Sequence, residues 1–154
     1  MDTPIDSVYV RDMLMKHSLA VLSTVTPENL PDAAPIYYIA NFKHEIYFVT
    51  SAQTQKVHNI HHQKNVIMTI VDDSLTETLR VQGIAEEHAD MLDDILQQLA
   101  QKLHYGASFL QSLPALKYKD QKKTVFKVTP SQIRLRRFTE YSFTEKVVDF
   151  PAQT

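Results

Sequence analysis

Short β-rich segments separated by turn residues follow one another along most of this chain, and this pattern constrains the fold more than any other feature. The segments are rich in Val, Ile, Tyr, Phe and Thr, which favour a pleated sheet. The predicted strands are Leu19–Val25, Ala33–Ala40, Ile46–Val49, Val66–Val71, Leu79–Glu86, and a final pair, Lys123–Val128 and Gln132–Phe138, joined by a turn at Thr129–Ser131. With few helices between them, such strands predict a mainly β fold, a small antiparallel barrel or rolled sheet.

Two longer helices are predicted to flank these strands. The first runs from Thr3, as its cap, to about Lys16 (Thr3–Lys16), with a proline in its first position. The second is Ala89–His104, where apolar residues recur with the helical period and Gly106 follows as the C-cap. Ala107–Lys123 has no pattern that we can interpret. The tail from Thr139 alternates weakly and is either a further strand or a flexible end.

A strand, a hydroxyl-rich turn and a short helix follow one another within His44–Asn65. The helix opens near Gln55, and the hydroxyls before it belong to Thr50, Ser51 and Thr54. The first amides of a helix lack intrahelical partners and, with the helix dipole, can bind an anion such as phosphate. Lys56 is poorly placed for the helix dipole but well placed to neutralise a phosphate. The alternative is an ordinary N-cap beside a solvated lysine.

Pro35 and Gly83 interrupt predicted strands. A proline cannot donate to a strand ladder, so Pro35 marks an edge, a bulge or a place where another group approaches the backbone. Gly83 is expected at a bulge or bend.

Composition excludes several classes of site. The chain has only two glycines, so the Gly-rich phosphate loops of Rossmann and P-loop proteins are excluded. Without cysteine it has no disulfide, thiol nucleophile or cysteine metal site. A net charge of -2 gives no general attraction to nucleic acid or acidic membranes. We expect a single domain spanning residues 1–154, in the cytoplasm, because the acidic start is no signal peptide and no apolar run is long enough to cross a bilayer.

Two further groups of residues have a functional and a structural interpretation. His58, His61 and His62 have a helical spacing that can bring imidazoles to a metal or a haem, but no acidic or cysteine partner is near in sequence. We therefore expect exposed histidines and no metal site.

A basic C-terminal third can bind a substrate phosphate, a nicotinamide nucleotide or nucleic acid; we favour a solvated edge strand guarded by charge. Its residues are Lys117, Lys119, Lys122, Lys123, Arg134, Arg136 and Arg137.

The order of these elements and two segments resemble the pyridoxamine 5′-phosphate oxidase-like FMN-binding split barrels. The first segment is YFVTSAQTQK (Tyr47–Lys56) and the second is LRVQGIAEEH (Leu79–His88). A looser match is LSTVTPENLPDAAPIYY (Leu22–Tyr38), where Glu28-Asn29 replaces the family's usual Asp-Gly. The likeness covers about residues 8–138. It implies an antiparallel, Greek-key-like split barrel with flanking helices.

The resemblance also implies a set of cofactor-binding residues. Lys56 would contact the phosphate of FMN, with hydroxyls from the preceding turn, although Gln55 stands where the family often has arginine. The backbone of residues 34–37 would lie beside the flavin ring, and Thr78 would come from the partner subunit. The full set is Ala34, Pro35, Ile36, Tyr37, Val49, Thr50, Ser51, Thr54, Gln55, Lys56 and Thr78.

As for function, the resemblance implies a homodimer with FMN at the subunit interface, acting as an oxidoreductase on a small molecule, with a nicotinamide as a possible electron donor. Since the flavin carries the redox chemistry, no conspicuous acid–base residue is needed, and no catalytic residue is assigned. The tail TEYSFTEKVVDFPAQT does not match the substrate-binding end of the vitamin B6 oxidase, so we expect a different substrate. The alternatives are a barrel that binds haem or a deazaflavin, one that holds flavin without turnover, and one without a cofactor.

Overall fold

The computed structural model describes residues 3–103 and 122–151. The helices are α1 (Ser7–Lys16), α2 (Gln55–His62) and α3 (Leu92–Lys102), the last preceded by a 3-10 turn at Ala89–Met91. The strands are β1 (Leu19–Val25), β2 (Pro31–Ala40), β3 (Ile46–Ser51), β4 (Asn65–Val71), β5 (Glu77–Glu87), β6 (Lys123–Phe138) and β7 (Phe143–Asp149).

The strands form one antiparallel sheet that closes on itself. Their order is β3-β2-β1-β4-β5-β6-β7, and β3 also pairs with β6, so that β1 to β6 make a barrel and β7 extends from β6. The order β3-β2-β1-β4 is that of a Greek key. Pairing between β2 and β3 covers only Tyr38–Ala40, whereas β3 pairs with β6 along its whole length. The predicted mainly β split barrel is therefore confirmed.

Helix α1 closes one end of the barrel and buries Val10 and Leu14 in its core. The helix begins at Ser7, because the carboxylate of Asp6 accepts a hydrogen bond from the backbone N–H of Tyr9 at 2.8 Å. The prediction that Thr3 caps this helix was wrong. An acidic side chain in that capping position stabilises the helix start in the same way as the expected hydroxyl.

Helix α3 packs on the outside of the barrel, where Ile95 and Leu99 join a second cluster with Ile39, Val49 and Val125. The helical prediction for this region was right in kind. Its first residues, however, form the 3-10 turn rather than an α-helix. The predicted C-cap Gly106, and most of the segment that we did not interpret, lie outside the described residues.

The last two strands differ from their prediction. Residues 123–138 form the single strand β6, so the predicted turn at Thr129–Ser131 was wrong. Gln82 pairs with Gln132 and Gly83 with Pro130, which leaves Ser131 as an extra residue in β6. A bulge of this kind lets a strand continue past a proline. The tail forms β7, the first of the two alternatives stated above.

No helix in the described part of the chain combines the length and apolarity needed to cross a membrane.

Candidate functional site

The N-terminus of α2 offers backbone amides that the fold leaves open. Thr54 occupies the N-cap position, but its hydroxyl donates back to the carbonyl of Ser51 at 3.1 Å and makes no cap hydrogen bond. Within residues 3–103 and 122–151, no acceptor is found for the backbone N–H groups of Gln55, Lys56 and Val57. Thr54 is therefore not an ordinary side-chain cap. The open amides at the positive end of the helix dipole can bind an anion.

Lys56 lies half-buried beside these amides. Its ammonium group donates to the hydroxyl of Thr50 at 3.2 Å, and it forms no ion pair with a carboxylate in the described part of the chain. Burial lowers the pKa of Lys56, and the nearby Asp32 opposes that effect. An open depression of about 330 Å³ at the start of α2 is lined by the turn residues, Gln55, Val57, His58 and His61, and not by Lys56. The hydrogen bond to Thr50 places the ammonium group of Lys56 at the end of β3.

The hydroxyls of the turn support the lysine. Thr50 and Ser51 are buried, and the hydroxyl of Thr50 lies 3.4 Å from that of Thr54. Val49, before them, belongs to the cluster under α3. Because Thr50 already accepts from Lys56, its role in this structure is to hold the ammonium in place. Direct contacts of these hydroxyls with a ligand stay predictions.

Asn59 is a buried polar residue beside the candidate site that the sequence did not reveal. It is fully buried, and its amide donates to the hydroxyl of Thr24 at 3.0 Å and to the carboxylate of Asp32 at 3.1 Å. Its carbonyl accepts from the side chain of Gln55 at 2.7 Å. The side-chain N–H of Gln55 is thus engaged along α2, and its backbone N–H has no acceptor in the described part of the chain. The available signal was a polar residue on the buried side of α2, between Val57 and Ile60.

β2 and β3 pair only at Tyr38–Ala40, and we call the gap between the rest of β2 and the end of β3 the split. Residues 31–37 form the open edge of β2 along this gap. The backbone N–H of Tyr38 donates to the carbonyl of Ser18, and the N–H of Thr26 donates to the carbonyl of Leu30, both at 2.8 Å. Because bonded pairs alternate along an antiparallel ladder, the even-numbered residues of β2 are those that bond to β1. Pro35 and Tyr37 therefore direct their backbone groups to the opposite side, where no described strand pairs with them. Of the three alternatives stated for Pro35, the structure shows an edge.

This geometry separates the four residues predicted beside the flavin ring. Ala34 and Ile36 use their backbone groups in the ladder with β1, and Ile36 is buried in the core. The carbonyl of Pro35 and both backbone groups of Tyr37 face the split. Their contact with a ring stays a prediction, as does that of the other two.

Thr78 lies far from this edge within one subunit. A register row crosses the sheet from Pro35 through Val21 and Thr69 to Arg80. Thr78 lies two residues from Arg80 in β5 and on the same face of the sheet. Three strand spacings separate β5 from β2, which is about 14 Å along the sheet. A role beside the ring would therefore require a second subunit, as the resemblance implies.

The histidines of α2 are exposed, as expected. His61 lies 3.0 Å from a carboxylate oxygen of Glu87, while no partner is found for His58 or His62 in the described part of the chain. Among residues 3–103 and 122–151, no three His, Asp or Glu side chains are grouped to hold a metal ion.

The arginines of β6 are paired with carboxylates. Arg134 and Arg136 both contact Glu145, at 3.8 and 2.6 Å, and Arg137 contacts Glu77 at 3.4 Å. The expected edge strand was wrong, because β6 lies between β5 and β7. Lys117 and Lys119 lie outside the described residues.

Comparisons with known proteins agree with this architecture. The sequence model of the family described as pyridoxamine 5′-phosphate oxidase matches residues 9–137. No curated protein is significantly similar in sequence.

Solved structures of similar fold include proteins with different ligands. An F420 reductase is 22% identical with a TM-score of 0.64, over 79% of this chain and 94% of its own. A heme binding protein from Mycobacterium smegmatis is 16% identical with a TM-score of 0.68, over 95% of this chain and 59% of its own. A FAD-binding protein from Mesorhizobium loti is 15% identical with a TM-score of 0.61, over 88% and 96%. At these identities the similarity shows the fold alone.

Proposed function

The chain belongs to the pyridoxamine 5′-phosphate oxidase family, and from this premise we propose that it binds FMN and acts as an oxidoreductase on a small molecule. One observation carries the proposal: the uncapped amides of Gln55, Lys56 and Val57 open beside a half-buried lysine that has no ion-pair partner in the described part of the chain. A phosphate group would satisfy both the amides and the ammonium.

The residues on either side of the split fit a flavin nucleotide. Lys56 and the first amides of α2 would hold its phosphate. Thr50 would orient the lysine, and the backbone groups of Pro35 and Tyr37 would face the ring across the split. When bound, the flavin would supply electron and hydride transfer, and the protein would bind and orient it and keep water away. We propose a substrate other than that of the vitamin B6 oxidase.

Haem is the second candidate, since a heme binding protein shares the fold. The exposed histidines of α2 give it less support than the phosphate-binding features give a flavin. A deazaflavin, for which the F420 reductase provides the precedent, would use the same features as FMN.

A second copy of the chain is the partner that we propose. Apolar side chains on the outer faces of β1, β4 and β5 are 41–52% exposed: Leu19, Val21, Val71 and Ile84. Contiguous exposed apolar residues of this kind are typical of protein interfaces. An isologous dimer across this face would bring β5 of one subunit towards β2 of the other, the arrangement that a contribution from Thr78 needs. We propose no nucleic-acid or membrane partner, and a cytoplasmic location.

The absorption spectrum of the purified protein, with the mass of any molecule that co-purifies, tests this proposal. We expect the bands of an oxidised flavin and the mass of FMN. A Soret band would replace the proposal with haem binding, and the mass of a deazaflavin would replace FMN. A colourless protein that does not quench the fluorescence of added FMN would refute cofactor binding altogether.

A further inference from the structure

A carboxylate adjoins the candidate phosphate site. Asp32 lies in β2 opposite Thr24 of β1, and its side chain accepts from the buried amide of Asn59. Asn59 follows Lys56 by three residues on α2, so the two side chains are neighbours on the helix surface. The hydrogen bond therefore fixes the carboxylate next to the first turns of α2.

The charge of Asp32 reaches Lys56. The carboxylate raises the pKa of that lysine against the effect of burial, although the two groups make no direct ion pair. The ammonium donates instead to Thr50. Lys56 is thus free to turn to a ligand, but part of its positive charge is already offset.

Within residues 3–103 and 122–151, the charge found to act on Lys56 is that of Asp32, and the helix end adds its partial positive charge. Gln55, beside Lys56, adds no charge, and its side chain is bonded to Asn59. A doubly charged phosphate interacts about twice as strongly as a singly charged one with each of these charges, so the repulsion by Asp32 costs the doubly charged form more binding free energy.

We propose that Asp32 is a specificity-determining residue that reduces the advantage of a doubly charged phosphate over a singly charged one at this site. Phosphodiesters, such as the linkage in a dinucleotide or an extended flavin, carry one charge per phosphate. A phosphomonoester such as FMN carries nearly two at pH 8. The inference rests on the proposed function, because the site is the one assigned to the cofactor phosphate.

The test compares the wild-type protein with Asp32→Asn, which keeps an acceptor for Asn59, and with Asp32→Thr as a second uncharged variant suited to a strand. The matched control is Asp73→Asn, which removes the same charge from an exposed position near the other end of β1. Dissociation constants are measured for FMN and for riboflavin at pH 8. We expect both Asp32 variants to bind FMN about tenfold more tightly and to change riboflavin less than about twofold, with no effect of the control.

Two results would overturn the inference: unchanged or weaker FMN binding in variants that fold, or an equal gain for FMN and riboflavin. The second would mean that Asp32 acts on the shape of the site and not on its charge.

A readout without flavin separates this inference from the proposed function. Inorganic phosphate is titrated at pH 8 while NMR follows the amides of Gln55, Lys56 and Val57, and the pKa of the Lys56 ammonium is measured in the same samples. We expect tighter phosphate binding and a lower Lys56 pKa in Asp32→Asn. If neither value changes, or if phosphate moves these amides in neither protein, the inference fails. If phosphate behaves as expected but no flavin binds, only the flavin assignment fails.

Discussion

The start of α2 and the middle of β6 both carry cations that the sequence marks as candidate ligand-binding groups, and the fold treats them in opposite ways. Arg134 and Arg136 share the carboxylate of Glu145. Lys56 meets only a hydroxyl, beside amides with no acceptor in the described part of the chain. A cation is therefore a candidate for ligand binding when the fold leaves its charge without a direct partner. Clustering of cations in the sequence does not show which of them lack a partner.

The largest expected effect comes from the buried amide that positions the α2 site. Asn59→Leu removes hydrogen bonds to Thr24, Asp32 and Gln55 and leaves buried polar groups without partners. We expect the free energy of unfolding to fall by about 2–4 kcal/mol. Urea denaturation measures it, with Gln97→Leu on the exposed side of α3 as a control expected within about 0.5 kcal/mol of wild type. A loss at Asn59 as small as the control's would show that α2 is held by its apolar contacts alone.

Next in size is the removal of the unpaired cation. Lys56→Ala should weaken FMN about 30-fold, or about 2 kcal/mol, and riboflavin less than about threefold, since only FMN carries a phosphate. Fluorescence titration measures both, and Arg136→Ala is the matched control, expected to change neither. Equal losses of affinity for FMN and riboflavin would show that Lys56 does not act at the phosphate. The start of α2 would then differ from the middle of β6 only in its ion pairs.

The pH dependence of binding sharpens the same contrast. Burial lowers the pKa of Lys56, so its charge is lost at a lower pH than that of a solvated lysine. The affinity for FMN should be highest while Lys56 is protonated and the phosphate is ionised, and should fall as the pH rises through the pKa of the lysine. The expected loss is about tenfold. Lys56→Arg should retain its affinity over the same alkaline range, since arginine stays charged. Parallel alkaline losses in both proteins would assign the titration to another group.

The smallest effect is expected from the paired region. Arg136→Ala leaves Arg134 in contact with Glu145, and partly exposed ion pairs contribute little, so the free energy of unfolding should fall by about 0.5 kcal/mol or less. A double-mutant cycle with Glu145→Gln measures the coupling. A coupling above about 2 kcal/mol would mean that β6 and β7 depend on this pair, and that the region is more than a neutralised surface.

Much of the fold could be predicted from single residues with strong backbone preferences. Pro35 predicted an edge, a bulge or the approach of another group, and its backbone, which has no N–H, faces the unpaired side of β2. Gly83 predicted a bulge or bend: a Cβ there would lie 2.6 Å from the carbonyl oxygen of Thr129, and the register shifts at that point. Such residues report directly on their own backbone, so one sequence is enough to interpret them.

The errors arose where the outcome depended on distant partners. Thr129–Ser131 has the composition of a turn, but Thr129 and Pro130 pair with β5, which keeps the segment in a strand with Ser131 absorbed as a bulge. Asn59 has an ordinary sequence context, and only the approach of β1 and β2 makes it a buried anchor. The same limit applies to the site: the sequence indicated Lys56 and the turn but not the neighbouring Asp32.

The most direct test of the central claim is an NMR titration of the protein with FMN and with riboflavin, following the backbone amides. The account predicts that FMN shifts the amides of Gln55, Lys56 and Val57 most strongly, and that riboflavin leaves these three nearly unchanged while both ligands shift Tyr37. Large FMN shifts confined to other parts of the barrel, or identical shifts with the two ligands at the start of α2, would contradict it.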